Sequence, residues 1–511
     1  MACGKEISKA SLDTWGKSHP SAADADKEHV VSEQGILREP VTPRADQDEH
    51  GGAPPGTVIL LASVAALGGF LFGYDSAVIN GAVSAIGAQF HASAGALGLT
   101  VSSALLGAAV GAIVAGRVAD ASGRLAAMRL AAILFVISAI GAALANSLVV
   151  LSIFRFVGGV AVGIASVIAP AYIAEIAPAG IRGRLGSLQQ LAIVSGIFLS
   201  LLVDYAIAAA AGNSRAPWAF GYAAWRWMFA AMTVPAVLYG VLSFTIPESP
   251  RYLMAKGRID EAREVLKRVL GERGLTAKIG QIRESLRRDK PPSWSDLRGP
   301  AFGLLPIVWV GIGLSVFQQF VGINVIFYYS SVLWEAVGFS EKNSLIITVI
   351  TSVVNIVTTF VAISLIDRVG RRPLLLIGSA GMAITLGVLA YVFAHAPLGA
   401  QGQPQLQGSE GPIALLAANL FVFAFGMSWG PVVWVLLGEK FPNQIRAGAL
   451  SVAACAQWLA NWAISTSFPI LKNAGLGLAY GLYTAFAILS FLFVWRFVTE
   501  SKGRELEDMS A

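Results

Sequence analysis

The segment at residues 116–124 reads GRVADASGR, and a shorter version of it, DRVGRR, recurs at residues 367–372. Residues 175–182 (EIAPAGIR) and 439–446 (EKFPNQIR) form a second pair, with Glu, Pro and Arg at identical spacing. In both pairs the two copies are separated by about half the length of the chain. Because self-similarity over such a distance is typical of a repeated architecture, the chain is predicted to consist of two related halves.

Long apolar stretches surround both copies of the repeat. The 511 residues are 55% hydrophobic and only 13% charged, with a mean hydropathy of +0.65, which is more apolar material than soluble domains place in their cores. Stretches of about 20 apolar residues recur, and each is long enough to cross a hydrocarbon core of about 30 Å as a helix. The sequence therefore predicts an all-α membrane protein with twelve transmembrane helices in two six-helix halves. The predicted spans are residues 57–83, 95–117, 125–146, 149–174, 185–209, 225–246, 302–334, 343–366, 373–395, 412–438, 448–471 and 476–496.

The positive charges follow the predicted spans in a regular way. The formal net charge is +6, and Lys and Arg concentrate in alternate loops, as after span two (Arg117, Arg124 and Arg129) and in the basic run at residues 251–298. Because basic residues mark the cytoplasmic side of a membrane protein, these loops and both termini are predicted to be cytoplasmic. Topology accounts for the charge, and we expect no nucleic-acid partner.

The repeat and the spans divide the chain into five parts. Residues 1–56 are polar and poor in aromatic side chains, which predicts a disordered cytoplasmic tail. The six-helix halves are predicted at residues 57–246 and 302–497, and an amphipathic cytoplasmic helical linker at residues 247–301 joins them. A second cytoplasmic tail is predicted at residues 498–511.

Two classes of chemistry are excluded by what the sequence contains. The two cysteines, Cys3 and Cys455, do not make a disulfide framework, and no residues have the spacing of a metal site. We find neither a nucleophile with its base and oxyanion hole nor a phosphate-binding loop, so an enzyme is not predicted.

Several further motifs occur in order along the chain. They are PESPR at residues 247–251, QQ at 318–319 with GIN at 322–324, GP at 430–431 with Trp434, and ESKG at 500–503. With these motifs the chain resembles the major facilitator superfamily. Within it the chain resembles the sugar porters, which include bacterial sugar/proton symporters of the xylose and glucose type and animal facilitative glucose transporters. The resemblance implies a monomeric carrier whose halves rock about a central site, so that access alternates between the two membrane faces.

Charged residues of these motifs cluster at the predicted cytoplasmic helix ends. We expect them to pair when the inner side is closed and to separate when it opens. One exposed pair contributes only about 0–1 kcal/mol, so a network is needed; the alternative is that each residue only fixes topology or caps a helix. The predicted gating residues are Asp120, Arg124, Glu175, Arg182, Glu248, Arg251, Asp367, Arg371, Glu439, Arg446 and Glu500.

Amide side chains lie deep in several predicted spans. Because polar groups are costly in lipid, these amides predict a cavity. An amide both donates and accepts hydrogen bonds, as a neutral sugar hydroxyl does, and aromatic neighbours can stack on a sugar ring. The alternative is that buried amides only join helices, at about 0.6 kcal/mol each. The predicted sugar-binding residues are Phe72, Gln190, Gln318, Gln319, Asn324, Tyr328, Asn355, Trp434, Gln457, Trp458 and Asn461.

The resemblance supports most of this set. It places one group on sugar-contact positions of the family: Gln190, Gln318, Gln319, Asn324, Asn355 and Trp434. It also matches Gln457 and Trp458 with the bacterial symporters.

One carboxylate lies inside the apolar span one, at the end of the segment GGFLFGYD (residues 68–75). An ionisable group at this depth is a functional candidate, and Arg155 in span four is the predicted partner of Asp75. A proton on Asp75 would release Arg155, so the pair can act as a proton-coupling switch. The resemblance implies the same, because proton symporters of the family have Asp here whereas facilitative members commonly have Asn. A structural ion pair in a uniporter is the alternative. Asp204, near the outer end of span five, is expected to be in contact with water.

Together these residues predict a proton-coupled monosaccharide importer of a bacterial inner membrane, with the proton as coupling ion and no cofactor. A facilitative uniporter would share every sugar contact and is the main alternative. A drug or organic-anion exporter would prefer an apolar or cationic cavity. The apolar Ile197 and Phe327 resemble glucose carriers more than xylose carriers, but one methylene in a pocket decides only about 1–3 kcal/mol.

Overall fold

The computed structural model describes residues 55–178, 182–272, 274–288, 294–397, 405–442 and 445–500. Helices make up most of this part of the chain. The predicted tails lie almost entirely outside the described residues, and the predicted domain limits remain predictions.

The N-terminal half begins with a helix broken at Val78, continues with four long single helices and ends with two short ones. Its helices are α1 (Pro55–Ala77), α2 (Ile79–Gln89), α3 (Ala94–Ser122), α4 (Arg124–Leu144), α5 (Leu148–Ile176), α6 (Arg182–Ala211), α7 (Ala224–Ala231) and α8 (Thr233–Leu242).

Three short helices follow in the predicted linker, and the C-terminal half repeats the arrangement of the first. The linker helices are α9 (Pro250–Ala255), α10 (Ile259–Leu270) and α11 (Leu275–Arg288). The helices of the second half are α12 (Pro306–Phe320), α13 (Ile323–Ala336), α14 (Glu341–Val369), α15 (Arg371–His395), α16 (Glu410–Gly426), α17 (Trp429–Lys440), α18 (Arg446–Ala474) and α19 (Leu476–Phe497).

Length and composition identify eleven membrane-crossing stretches among the described residues. The predicted span that is missing from this set is α18, which has 29 residues and is itself long enough to cross a bilayer. It is less apolar than the others because it carries Gln457, Asn461 and several hydroxyl side chains. The polar residues that lower the hydropathy of α18 therefore include Gln457 and Asn461, which are predicted to bind sugar.

Predicted spans one, six, seven and ten are each built from two helical segments, a division that the hydropathy pattern did not reveal. In span seven the chain turns at Gly322, whose φ of +84° is left-handed and favours glycine. In span ten Pro431 has no N–H to donate and its ring excludes the carbonyl four residues earlier, so the helix is interrupted before α17. In span one the break follows Asp75, whose carbonyl accepts a hydrogen bond from Arg155 Nη1 at 2.8 Å.

The repeated sequence is also a repeated structure. Gly123, with φ 100° and ψ 164°, ends α3, and Gly370, with φ 102° and ψ 162°, ends α14. Each glycine is followed at once by an arginine that begins the next helix. The two turns thus have nearly the same backbone conformation, as expected for two copies of one unit.

The two halves meet mainly where α3 packs against α18, α6 against α14 and α2 against α13, and α1 also contacts α13. We call the side of the bundle with α9–α11 and the two repeated turns the linker side, and the opposite side the far side. Toward the far side, the hydroxyls of Ser102 in α3 and Thr466 in α18 are hydrogen-bonded at 2.6 Å. A cavity between the halves is bounded by α1, α3, α5, α13 and α18.

Candidate functional site

Asp75 in α1 and Arg155 in α5 form an ion pair inside the N-terminal half. Arg155 Nη1 lies 3.2 Å from Asp75 Oδ2, and the two side chains are 2% and 1% exposed. The guanidinium carbon of Arg155 also lies 5.9 Å from the centre of the Phe229 ring. Asp75 Oδ1 and Arg155 Nε have no hydrogen-bond partner among the described residues. The pair is therefore buried and incompletely satisfied, so a change in either charge has a large effect on the other.

This ion pair forms one wall of a narrow cavity between the halves. Tyr328 of α13 and Trp458 of α18 line the same cavity as Asp75 and Arg155. Ser76, the residue that follows Asp75, lines the cavity as well. Tyr328 therefore brings the C-terminal half next to the segment that holds the ion pair.

Trp458 and Asn461 lie about one turn apart on α18 and extend this wall. Asn461 is 4% exposed, and its Oδ1 accepts from Ser465 Oγ at 3.1 Å. The Trp458 ring lies 5.8 Å from the Phe72 ring of α1, with the planes tilted by 50°. Four of the predicted sugar-binding residues are thus brought together at the boundary between the halves.

Three predicted amides form a chain across the break between α12 and α13. Asn324 Nδ2 donates to Gln319 Oε1 at 2.5 Å, and Gln319 Nε2 donates to Gln318 Oε1 at 3.3 Å. Gln318 Nε2 donates to the carbonyls of Trp429 at 2.8 Å and Gly430 at 3.2 Å. The chain joins the broken parts of spans seven and ten. Such a chain is expected if the buried amides only join helices. It also fixes the orientation of the amides, as a sugar-binding site requires.

Four predicted sugar-binding residues lie outside these two groups. Gln190 is half-buried on α6, and Trp434 on α17 is 42% exposed. Asn355 of α14 has its Oδ1 toward Gly426 of α16, and Gln457 Oε1 is buried without a hydrogen-bond partner among the described residues. Their role in binding stays a prediction.

The predicted gating residues of the N-terminal half form a cluster on the linker side. Arg124 Nη2 lies 3.0 Å from Glu175 Oε1 and its Nε donates to Oε2 at 3.1 Å. Asp120 is 3.3 Å from Arg124 Nη1 but is 77% exposed. The two oxygens of Glu248 accept from the backbone N–H groups of Arg124 at 3.0 Å and Leu125 at 3.2 Å. Glu248 thus caps α4, where a negative charge is favourable.

The C-terminal half repeats this cluster almost atom for atom. Arg371 Nη2 lies 2.8 Å from Glu439 Oε1, and Glu500 accepts from the backbone N–H groups of Arg371 at 3.0 Å and Arg372 at 2.9 Å. These pairs join helices within one half, and their role in gating stays a prediction. Of the remaining predicted gating residues, Arg251 lies in the first turn of α9. The side chains of Arg182, Asp367 and Arg446 lie outside the part of the chain that the structure describes.

The hydrogen bonds that close the far side were not predicted from the sequence. Asn80 Nδ2 donates to the Phe327 carbonyl at 2.9 Å. Ser331 Oγ donates to the Asn80 carbonyl at 2.6 Å, and its N–H donates to Asn80 Oδ1 at 3.2 Å. Asn80 is an amide inside span one, so the cost of a polar group in lipid could have identified it as well.

Two acidic residues of the C-terminal half extend this contact. Glu335 Oε2 accepts from Ser84 Oγ of α2 at 2.9 Å, and Glu341 Oε1 accepts from the backbone N–H of Ser214 at 2.7 Å. Both acceptors lie at the far end of the C-terminal half, and both donors belong to the N-terminal half. The far side of the bundle is therefore closed by hydrogen bonds between the halves.

The expectation that Asp204 contacts water is wrong. Its side chain is 0% exposed, and its Oδ2 accepts from the Gly81 N–H of α2 at 3.3 Å. After the break in span one, α2 packs against α6, and its Gly81 covers the carboxylate. A position near the end of a predicted span is an interior position in the fold.

Two repeated helical halves around a shared cavity define a membrane carrier of the major facilitator type, and the comparisons agree with this class. The model of the family "Sugar (and other) transporter" matches residues 61–511. The chain belongs to this family.

Individual relatives point in the same direction. A protein of Synechocystis sp. named "Glucose transport protein" is 58% identical over 454 residues, covering 88% of this chain and 97% of that protein. The "D-xylose-proton symporter" of Escherichia coli K12 is 39% identical over 488 residues, covering 89% of this chain and 95% of that protein.

A solved structure gives the same fold. The inward open conformation of the xylose transporter XylE from E. coli superimposes with a TM-score of 0.75 at 38% identity, covering 88% of this chain and 99% of that one. The predicted all-α membrane fold of the major facilitator type is confirmed, and so is the prediction of a transporter rather than an enzyme.

Proposed function

We propose that this protein imports a monosaccharide together with a proton by alternating access. The observation that carries the proposal is the cavity in which the buried pair of Asp75 and Arg155 faces Tyr328 and Trp458. Because the ionisable pair and the sugar-binding candidates line the same narrow cavity, of about 10 Å³, a change of charge at the pair acts directly on the sugar-binding wall. Relatives named as proton symporters of xylose and of arabinose support the proposal.

The proposed coupling step takes place at the Asp75 carboxylate. While Asp75 is negatively charged, Arg155 holds α1 against α5, because opposite charges attract strongly where water is excluded. A proton taken up from the outer solution neutralises the carboxylate and removes this attraction. Ser76 moves with Asp75, and because Ser76 lines the same cavity as Tyr328, this movement transmits the change to the sugar-binding wall. The proton leaves on the inner side with the sugar, and no covalent bond to the sugar forms.

A neutral hexose such as glucose is the proposed substrate, with xylose as the second candidate. The amides of Gln318, Gln319 and Asn324 suit neutral hydroxyl groups, which also donate and accept. The relative named "Glucose transport protein", at 58% identity, supports the choice of glucose. Competition of unlabelled monosaccharides against labelled glucose in proteoliposomes would rank the candidates.

The proposed location is a bacterial inner membrane, with the linker side and both termini in the cytoplasm. This orientation follows the basic residues of the linker, and bacterial relatives support the membrane. The far side then faces outward, and its closure corresponds to an inward-facing state. We propose that the protein works as a monomer without a cofactor, with the proton as its coupling ion.

The deciding experiment is uptake of labelled glucose into proteoliposomes with an imposed pH gradient, acidic outside. A symporter concentrates sugar inside above the outside concentration, and a protonophore abolishes this accumulation. A protein that only equilibrates the sugar under the same gradient is the facilitative uniporter instead.

A further inference from the structure

The buried carboxylate of Asp204 is not used by the proposed coupling step. It lies on α6 against α2, 0% exposed, and Oδ1 has no hydrogen-bond partner among the described residues. Its Oδ2 accepts a hydrogen bond from the Gly81 N–H. Burial of a carboxylate with so little compensation is unfavourable, so the contact with α2 calls for an explanation.

The position of this contact on α2 is informative. Gly81 is the third residue of α2, which has eleven residues and begins at Ile79. N–H groups of a first helical turn lack partners within the helix, and a negative group is favoured beside them. The approach is also close: a Cβ on Gly81 would lie 2.6 Å from Asp204 Cβ. Asp204 therefore holds the first turn of α2 against α6.

The same turn of α2 carries the closure of the far side. Asn80, next to Gly81, makes three hydrogen bonds to Phe327 and Ser331 of α13. Ser84, one turn later, donates to Glu335. Hydrogen bonds tolerate only small displacements of donor and acceptor, so the position of α2 decides whether these contacts form.

We propose that Asp204 is a positioning residue of the transport cycle: it places α2 so that Asn80 and Ser84 meet α13 when the far side closes. Asp204 acts within the N-terminal half and touches neither sugar nor the ion pair. Its loss therefore loosens α2 and favours the state in which the far side is open. The inference rests on the proposed alternating access but is independent of which sugar is carried and of proton coupling.

The test measures the ratio of far-side-open to far-side-closed molecules without sugar. Spin labels at Asn146→Cys and Asn343→Cys, exposed positions at the far ends of the two halves, report the distance between the halves in lipid nanodiscs. Cys3→Ser and Cys455→Ser remove the native thiols. Asp204→Ala should raise the open-to-closed ratio about fivefold, the change expected for one ordinary hydrogen bond. Asp204→Asn, whose amide oxygen can still accept from Gly81, should restore most of the closed population.

Two further variants separate positioning from a general loss of stability. In a background with Asn80→Ala and Ser84→Ala, the addition of Asp204→Ala should change the ratio little, because the contacts that it positions are absent. Ser200→Ala, which alters a buried hydroxyl one turn earlier on α6, is the matched control and should leave the ratio unchanged.

Several results would overturn the proposal. They are an unchanged ratio in Asp204→Ala, an equal effect in the Asn80/Ser84 background, or an equal shift in Ser200→Ala. If Asp204→Ala does not fold, Gly81→Ala tests the same contact, since its methyl group would push α2 away from Asp204. That variant must shift the ratio in the same direction. A failed pH-gradient experiment would remove proton coupling but leave this measurement intact.

Discussion

The N-terminal half buries an ion pair between α1 and α5, whereas the C-terminal half buries a chain of amides between α12, α13 and α17. On the linker side the two halves are nearly identical. The Arg124–Glu175 pair at 3.0 Å has its counterpart in Arg371–Glu439 at 2.8 Å. The halves thus retain the repeated turn while their interiors differ.

This contrast indicates that the two halves have different functions. Amides can bind neutral hydroxyls without changing charge, and a carboxylate paired with an arginine can respond to a proton. Tyr328, which lines one cavity with Ser76 of the N-terminal half and Trp458 of the C-terminal half, lies where the two interiors meet. Mutations confined to one interior should therefore affect either coupling or affinity.

The largest effect is expected from Asp75→Asn in the N-terminal half. A neutral amide cannot carry a proton, so accumulation of sugar driven by a pH gradient should be abolished. Counterflow, which needs no driving force, should persist and serves as the internal control. A mutant that still concentrates sugar would show that Asp75 is not the coupling site.

Arg155→Leu should be the next most damaging change. It leaves the Asp75 carboxylate buried without its partner, at a cost of about 3–5 kcal/mol in the free energy of unfolding. Adding Asp75→Asn should recover part of this loss, because the double variant has no unpaired charge. Thermal unfolding of the single and double variants in detergent measures both; equal stability of the two would contradict a strong ion pair.

In the C-terminal half, Gln319→Ala or Asn324→Ala should weaken sugar binding by about 1–3 kcal/mol, because the site loses oriented hydrogen-bonding groups. Proton-driven accumulation should remain at high sugar concentration. Gln189→Ala, a buried amide of the N-terminal half that faces Gly69, is the matched control and should leave affinity unchanged. Unaltered affinity in both C-terminal variants would remove these residues from the site.

The smallest effects are expected from Glu175→Gln and Glu439→Gln, one in each copy of the linker-side cluster. Each variant weakens a half-buried pair with an arginine and should shift the conformational equilibrium toward inward-open by about 1 kcal/mol. Because the clusters match, the two shifts should be similar. Distances between labels on the linker ends of the two halves measure these shifts. A shift in only one of the two variants would contradict equivalent roles for the two clusters.

A feature could be predicted from the sequence when it depends on residues that are neighbours in the chain. Apolar stretches and the repeated turn are local patterns, so the spans, the two halves and the family were predicted from the sequence. Asp75 and Arg155 were paired from the cost of a charge in lipid alone, and the structure places them 3.2 Å apart. The same cost argument applies to Asn80, which was not among the predicted site residues.

The sequence by itself determined that this is a two-half membrane carrier with polar groups inside, because the energy of apolar and charged residues in lipid depends mainly on residue type. Only the tertiary structure decided that Asp204 is buried, that Tyr328 and Ser76 line one cavity, and that Asn80 is hydrogen-bonded to Ser331. These contacts depend on how a broken helix such as α2 is oriented at the interface between the halves. Its orientation is set by packing between segments that are far apart in the chain, and no local pattern of residues encodes this packing.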